Sequence, residues 1–82
     1  MQTGIVGAVT KRIEQLSAER GWTGYKLAHS AGIPYSTVKD IFAGRCKSIS
    51  ITNIKAMADA LEIDIVTFFD TPEFRGLEQE IK

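Results

Sequence analysis

Apolar residues recur along this chain at three- and four-residue steps, and no useful length alternates strictly, so the pattern predicts helices and no strands. Val9, Ile13 and Leu16 form one stripe, which predicts a first helix over about 7–20, or from residue 5, stopped by Gly21. A second helix follows Thr23, a good N-cap. Trp22 before the cap and Leu27 after it have the spacing of a hydrophobic staple, which makes Trp22 a core anchor. A third helix spans 34–43 and ends at Gly44, with Pro34 in the first turn, where its missing N–H is not needed. A fourth starts after Ser50. Ile51, Ile54, Met57, Ala58 and Leu61 face inward, and Lys55 and Asp59 form an i,i+4 pair of opposite charge on the outer face. A fifth, short helix is capped by Asp64 and filled by Ile65, Phe68 and Phe69, with Pro72 just past its end. In the tail, Phe74, Leu77 and Ile81 keep the helical step while Gly76 weakens it, which predicts partial order. The sum is one all-α domain of five helices, with a core over about 5–70 and a tail over 71–82.

The segment 23–44, TGYKLAHSAGIPYSTVKDIFAG, carries the most information. Leu27, Ala28 and Ala31 make the inner face of one helix. Gly32 sits where the chain must turn sharply, in a conformation that glycine enters without steric cost. Ile33 plugs the turn, and Val38 and Ile41 point back at Ala28 and Leu27. That spacing is the packing pattern of a helix-turn-helix, whose second helix can lie in the major groove of DNA.

Composition narrows the class. The chain has 82 residues, enough for one domain of modest stability. No stretch approaches the roughly 18 apolar residues of a membrane span. The start, MQTGIVGAV, is too short and too poor in charge for a signal peptide. Cys46 has no second cysteine to pair with. These features point to a reducing cytoplasm. Net charge is zero, but it is unevenly placed: eight Lys/Arg and three acids in 1–58 give +5, and two Lys/Arg and seven acids in 59–82 give −5. Such a split suits a basic face for phosphates and an acidic rear that limits indiscriminate binding, and it also suits two solvated faces of an ordinary protein.

The chain resembles the lambda-repressor-like domains of the Cro/XRE family over residues 9–69. The carriers are WTGYKLAHSAGI, YSTVKDIFAG and SITNIKAMADALEIDIVTFF. The resemblance implies that the third helix reads bases, that the start of the second helix and the loop after the third grip phosphates, and that two copies act as a homodimer on a palindromic operator in double-stranded DNA. Three features depart from the family pattern. Gly24 stands where the family commonly has Gln. Ser17 and Phe42 stand where many relatives have an Arg–Glu pair. The tail after Phe69 has no counterpart.

On the third helix Val38, Ile41 and Phe42 turn inward, leaving Tyr35, Ser36, Thr37, Lys39, Asp40 and Ala43 outward. Ser36 and Thr37 can exchange hydrogen bonds with base edges, and the Thr methyl can meet a thymine methyl. Lys39 can donate to guanine or to a phosphate, and Tyr35 can bond a phosphate or stack. Asp40, costly among phosphates, either accepts from cytosine or pairs with a nearby Lys. Expected phosphate contacts are Thr23, Gly24, Tyr25 and Lys26 on one flank and Arg45, Lys47, Ser48 and Ser50 on the other. Catalysis has little support: His29 stands alone, Cys46 has only Arg45 and Lys47 beside it, and no nucleophile–base, carboxylate-dyad or glycine-rich phosphate arrangement exists. No cofactor, metal or small-molecule ligand is expected. The sequence leaves open a second reading, an antitoxin-like or adaptor module that binds a protein on the same fold, favoured by Gly24 and Asp40. Phe69, Phe74 and Leu77 serve equally as a dimer surface or as part of the chain's own core.

Overall fold

The computed structural model describes residues 4–77. Their regular structure is helical, in six helices rather than five: α1 Gly4–Glu19, α2 Gly24–Ala31, α3 Tyr35–Phe42, α4 Ile51–Ala60, α5 Ile65–Phe69 and α6 Pro72–Arg75. The extra element is α6. Pro72 does not simply end the fifth helix; it occupies the first turn of a sixth, which Thr71 caps by accepting from the Phe74 N–H. Ile81 lies outside the described residues. At the other end, α1 starts at Gly4, earlier than the stripe from Val9 alone predicts, and Ala8, one turn after that start, is buried beside Val9.

The caps follow the sequence closely. Thr23, Ser50 and Asp64 each accept from the backbone N–H three residues on, at 3.2, 3.1 and 2.8 Å. At α3 the sequence expectation is corrected: Pro34 is the cap residue, not the first helical one, and it brings no side-chain acceptor.

Four helix C-termini close in one way. The backbone N–H groups of Trp22, Ile33, Arg45 and Ile63 reach back to the carbonyls of Ser17, Ala28, Asp40 and Ala58, at 2.9–3.0 Å. Each preceding residue, Gly21, Gly32, Gly44 and Glu62, has a left-handed backbone with φ between 58° and 74°. Gly32 thus makes the turn of the helix-turn-helix, and Ile33 closes it as a buried plug.

The core joins the helix-turn-helix to the rest. Val9 and Ile13 of α1, Leu27 and Ala28 of α2, Val38 and Ile41 of α3, and Ile54, Met57 and Ala58 of α4 are buried together with Ile33, Leu61 and Phe68. Burying a side chain such as Phe68 stabilises the fold by roughly 2–3 kcal/mol. Ile51 corrects the expected stripe: it is 67% exposed, and the buried face of α4 begins at Ile54. The rings of Phe68, Phe69 and Phe74 cluster with centroids 4.9–6.4 Å apart, which fastens α6 to α5. Arg12 of α1 donates Nε to the Phe68 carbonyl at 2.8 Å and Nη2 to the Thr67 carbonyl at 3.1 Å, satisfying the free end of α5.

Candidate nucleic-acid interface

The fold holds α2 and α3 by their apolar faces and leaves their opposite faces to solvent. On α3, Tyr35, Ser36 and Lys39 are exposed, while Thr37 and Asp40 are half-buried. Pro34 leaves the first N–H groups of α3 without a side-chain cap, unlike α2, α4, α5 and α6. Such an end attracts anions or base acceptors.

The flank before α3 is built on α2. Thr23, Tyr25 and Lys26 are exposed and Gly24 is half-buried. The Thr23 hydroxyl accepts from the Lys26 N–H, so its own proton remains available to a phosphate oxygen. Tyr25, 64% exposed, packs edge-on against Tyr35 with centroids 5.5 Å apart, which makes the two tyrosines one aromatic unit bridging the starts of α2 and α3. His29 lies parallel to Tyr25 at 6.5 Å and extends that unit. The sequence offers a signal for it in the four-residue spacing of Tyr25 and His29 on one helix.

Gly24 has a structural partner. A Cβ placed there would stand 3.4 Å from two carbons of the Phe42 ring and 3.6 Å from Val38. Those are ordinary contact distances, so position 24 faces Phe42 and Val38 across the α2–α3 packing. Ser17 is buried, and its hydroxyl has no hydrogen-bond partner among the described residues.

On the other flank Arg45, Lys47, Ser48 and Ser50 are all exposed. Ser50 caps α4 through its oxygen and keeps its proton free to donate. Cys46 is half-buried and packs against the core. The structure joins two residues that the sequence treats separately: Arg45 donates Nε and Nη2 to Asp40 Oδ1 at 3.1 and 2.9 Å. The spacing of five is not a helical neighbour distance; the left-handed turn at Gly44 brings the two together.

The charge pattern sharpens here. Lys11 pairs with Glu73 at 3.8 Å, Arg20 with Glu62 at 3.4 Å and Lys55 with Asp59, so acids of the C-terminal part occupy cations of the N-terminal part. Among the described residues, Lys26, Lys39 and Lys47 make no ion pair, and all three lie on α2, α3 or the following loop. No group of three or more His, Cys, Asp or Glu able to hold a metal ion occurs among the described residues. No helix there is long and apolar enough to cross a membrane.

Known proteins share the sequence pattern and the fold. The family model of the Cro/C1-type helix-turn-helix DNA-binding domain matches residues 12–73. The crystal structure of the prophage Lp1 protein 11 superposes with a TM-score of 0.79 at 31% identity, over 94% of this chain and 100% of that one. No curated protein matches the chain.

Proposed function

Because the chain belongs to the Cro/C1-type helix-turn-helix DNA-binding domains, we propose that it is a prokaryotic or phage transcriptional repressor that inserts α3 into the major groove of an operator. The observation that carries the reading is that Lys26, Lys39 and Lys47, on α2, on α3 and in the loop after it, make no ion pair among the described residues. Ser36, Thr37 and Lys39 read base edges, with Tyr35 at the groove margin on the Tyr25 ring. Thr23, the Gly24 N–H, Tyr25 and Lys26 grip one phosphate flank; Arg45, Lys47, Ser48 and Ser50 grip the other. Asp40 belongs to this face through its bond to Arg45. The protein acts without catalysis or cofactor, in the cytoplasm where its DNA is. One domain presents few base contacts, so two copies sit on a palindrome with half-sites about 34 Å apart.

Selection of bound duplexes from a random library, followed by titration of the winner against salt, tests this. The expected result is an enriched palindrome whose affinity falls steeply with salt. Absence of enrichment at low salt would reject a DNA target and turn the search to a protein bound by the same face.

A further inference from the structure

The four matching helix ends differ in one respect. At three of them the residue after the left-handed position is apolar, Trp22, Ile33 or Ile63, and packs on the core. At the end of α3 it is Arg45, and the contact that closes the turn is the ion pair with Asp40. Stability of the fold does not call for this exception. The two side chains are 59% and 50% exposed, and exposed pairs contribute little. An acid in the last turn of a helix also opposes the helix dipole. The exception falls at the end of α3 itself, the proposed base-reading helix.

We propose that Asp40 is a positioning residue for DNA recognition and acts through Arg45, an inference that rests on the reading of the chain as a DNA binder. Asp40 engages the Nε–Nη2 edge of the guanidinium and leaves Nη1 for a phosphate. The pair carries no net charge, so Arg45 adds little to the attraction that any duplex exerts on a cation. In the register demanded by the operator, the guanidinium already stands with its rotamer fixed, and contact with one phosphate orders it less further. Asp40 therefore suppresses binding to random DNA more than binding to the operator. It sets specificity without touching a base.

The test uses the full chain, wild type and Asp40→Asn, each with Arg45 intact or changed to Ala. Each is titrated against a duplex selected from a random library and a scrambled duplex of the same composition. Circular dichroism melting confirms that the variants fold, and Asp40→Ser repeats the comparison with a shorter side chain. Asp40→Asn is expected to tighten binding to the scrambled duplex about five-fold and to steepen its log–log salt slope by about 0.9, one further counterion released. Binding to the selected duplex changes less than about two-fold, so the specificity ratio falls. With Arg45→Ala in place, the same substitution leaves the ratio unchanged. An unchanged ratio in the Arg45 background overturns the proposal. So does an equal fall in the Arg45→Ala background, which makes the effect of Asp40 independent of Arg45, or a loss confined to the selected duplex, which marks Asp40 as a direct base reader. Wild-type protein without salt-dependent binding to any duplex removes the DNA reading itself, and that outcome is visible before any variant is compared.

Discussion

Glu62 holds a left-handed backbone, φ 58°, at a position whose counterparts after α1, α2 and α3 are glycine. A side chain in that region costs roughly 1–2 kcal/mol. Its carboxylate recovers part of this through Arg20, 3.4 Å away, but the Glu62 side chain is 77% exposed. Such pairs return about 0.2–1 kcal/mol. Glu62→Gly is therefore expected to raise stability by about 0.5 kcal/mol after its added backbone entropy is counted, a rise of a few degrees in Tm. A lower Tm would mean that the Arg20 contact outweighs the strain. Asp64 gives a pH-dependent counterpart. Its carboxylate accepts from the Thr67 N–H at 2.8 Å and the Thr67 hydroxyl at 3.0 Å. These bonds, the backbone one foremost, hold its pKa below the ordinary 3.8. A group whose pKa is depressed by folding stabilises the fold above its unfolded value, and that contribution disappears as pH falls through the folded value. The Tm advantage of wild type over Asp64→Asn is thus expected to hold constant from neutral pH to about pH 5 and to shrink below about pH 4. An advantage that persists undiminished at pH 2 would show that the charge of Asp64 is not its source.

At the scale of elements, the fate of the aromatic tail decides between core and partner. Phe74 of α6 lies 4.9 Å from Phe69 and 6.4 Å from Phe68, ring to ring, so it fills the molecule's own apolar cluster. Phe74→Ala is expected to cost about 2 kcal/mol, below the full range for a buried ring because Phe74 is only half-buried. Thermal melting and sedimentation together check this: stability falls and the association state stays the same. Unchanged stability with altered association would assign the ring to an interface instead. The helix carrying Phe74 was not legible in the sequence. Four residues are too few to display a period, and a proline reads as the end of one helix as readily as the start of the next. Helices with side-chain caps such as Thr23, Ser50 and Asp64 could be read directly because those signals are local. The outer face of α3 was legible by the same measure, with Thr37 and Asp40 half-buried rather than fully outward. The exposed positions of α3 follow from which residues face inward, whereas the Asp40–Arg45 bond depends on a left-handed turn between them that no fixed helical spacing announces. The contact of Gly24 with Phe42 is likewise invisible in sequence, since two helices must pack before it exists.

For the whole molecule, zero net charge conceals a directional field. The division at residue 58 shows the asymmetry but overstates the free basic charge. Lys11, Arg20 and Lys55 are paired with acids beyond that boundary, and Arg12 is bound to carbonyls of α5. What remains around α3 is Lys26, Lys39 and Lys47, with Arg45 shared with Asp40. Three unpaired cations per protomer, Lys26, Lys39 and Lys47, each releasing about 0.9 counterion, give a log–log salt slope of about −3, and about −6 for two protomers on a palindrome. Lys47→Ala is expected to flatten the slope for the pair by about 2, alike on operator and random sequence. The same charge and packing bear on assembly. With Phe69 and Phe74 in the core cluster, the exposed large apolar side chains of the described residues are Ile5, Ile51 and Val66, beside Tyr25 and Tyr35 on the proposed DNA face. Three scattered aliphatic residues do not supply the 1,200–2,000 Å², roughly, that a stable interface buries. The free protein is therefore expected to sediment as a monomer at micromolar concentration and to reach two per duplex only on the palindrome, where each half-site holds one copy. A stable dimer without DNA would place an additional apolar surface on this chain and make the half-site spacing a property of the protein alone. A complex that stops at one copy per palindrome would remove the dimeric operator and leave α3 of a single domain to carry all of the discrimination.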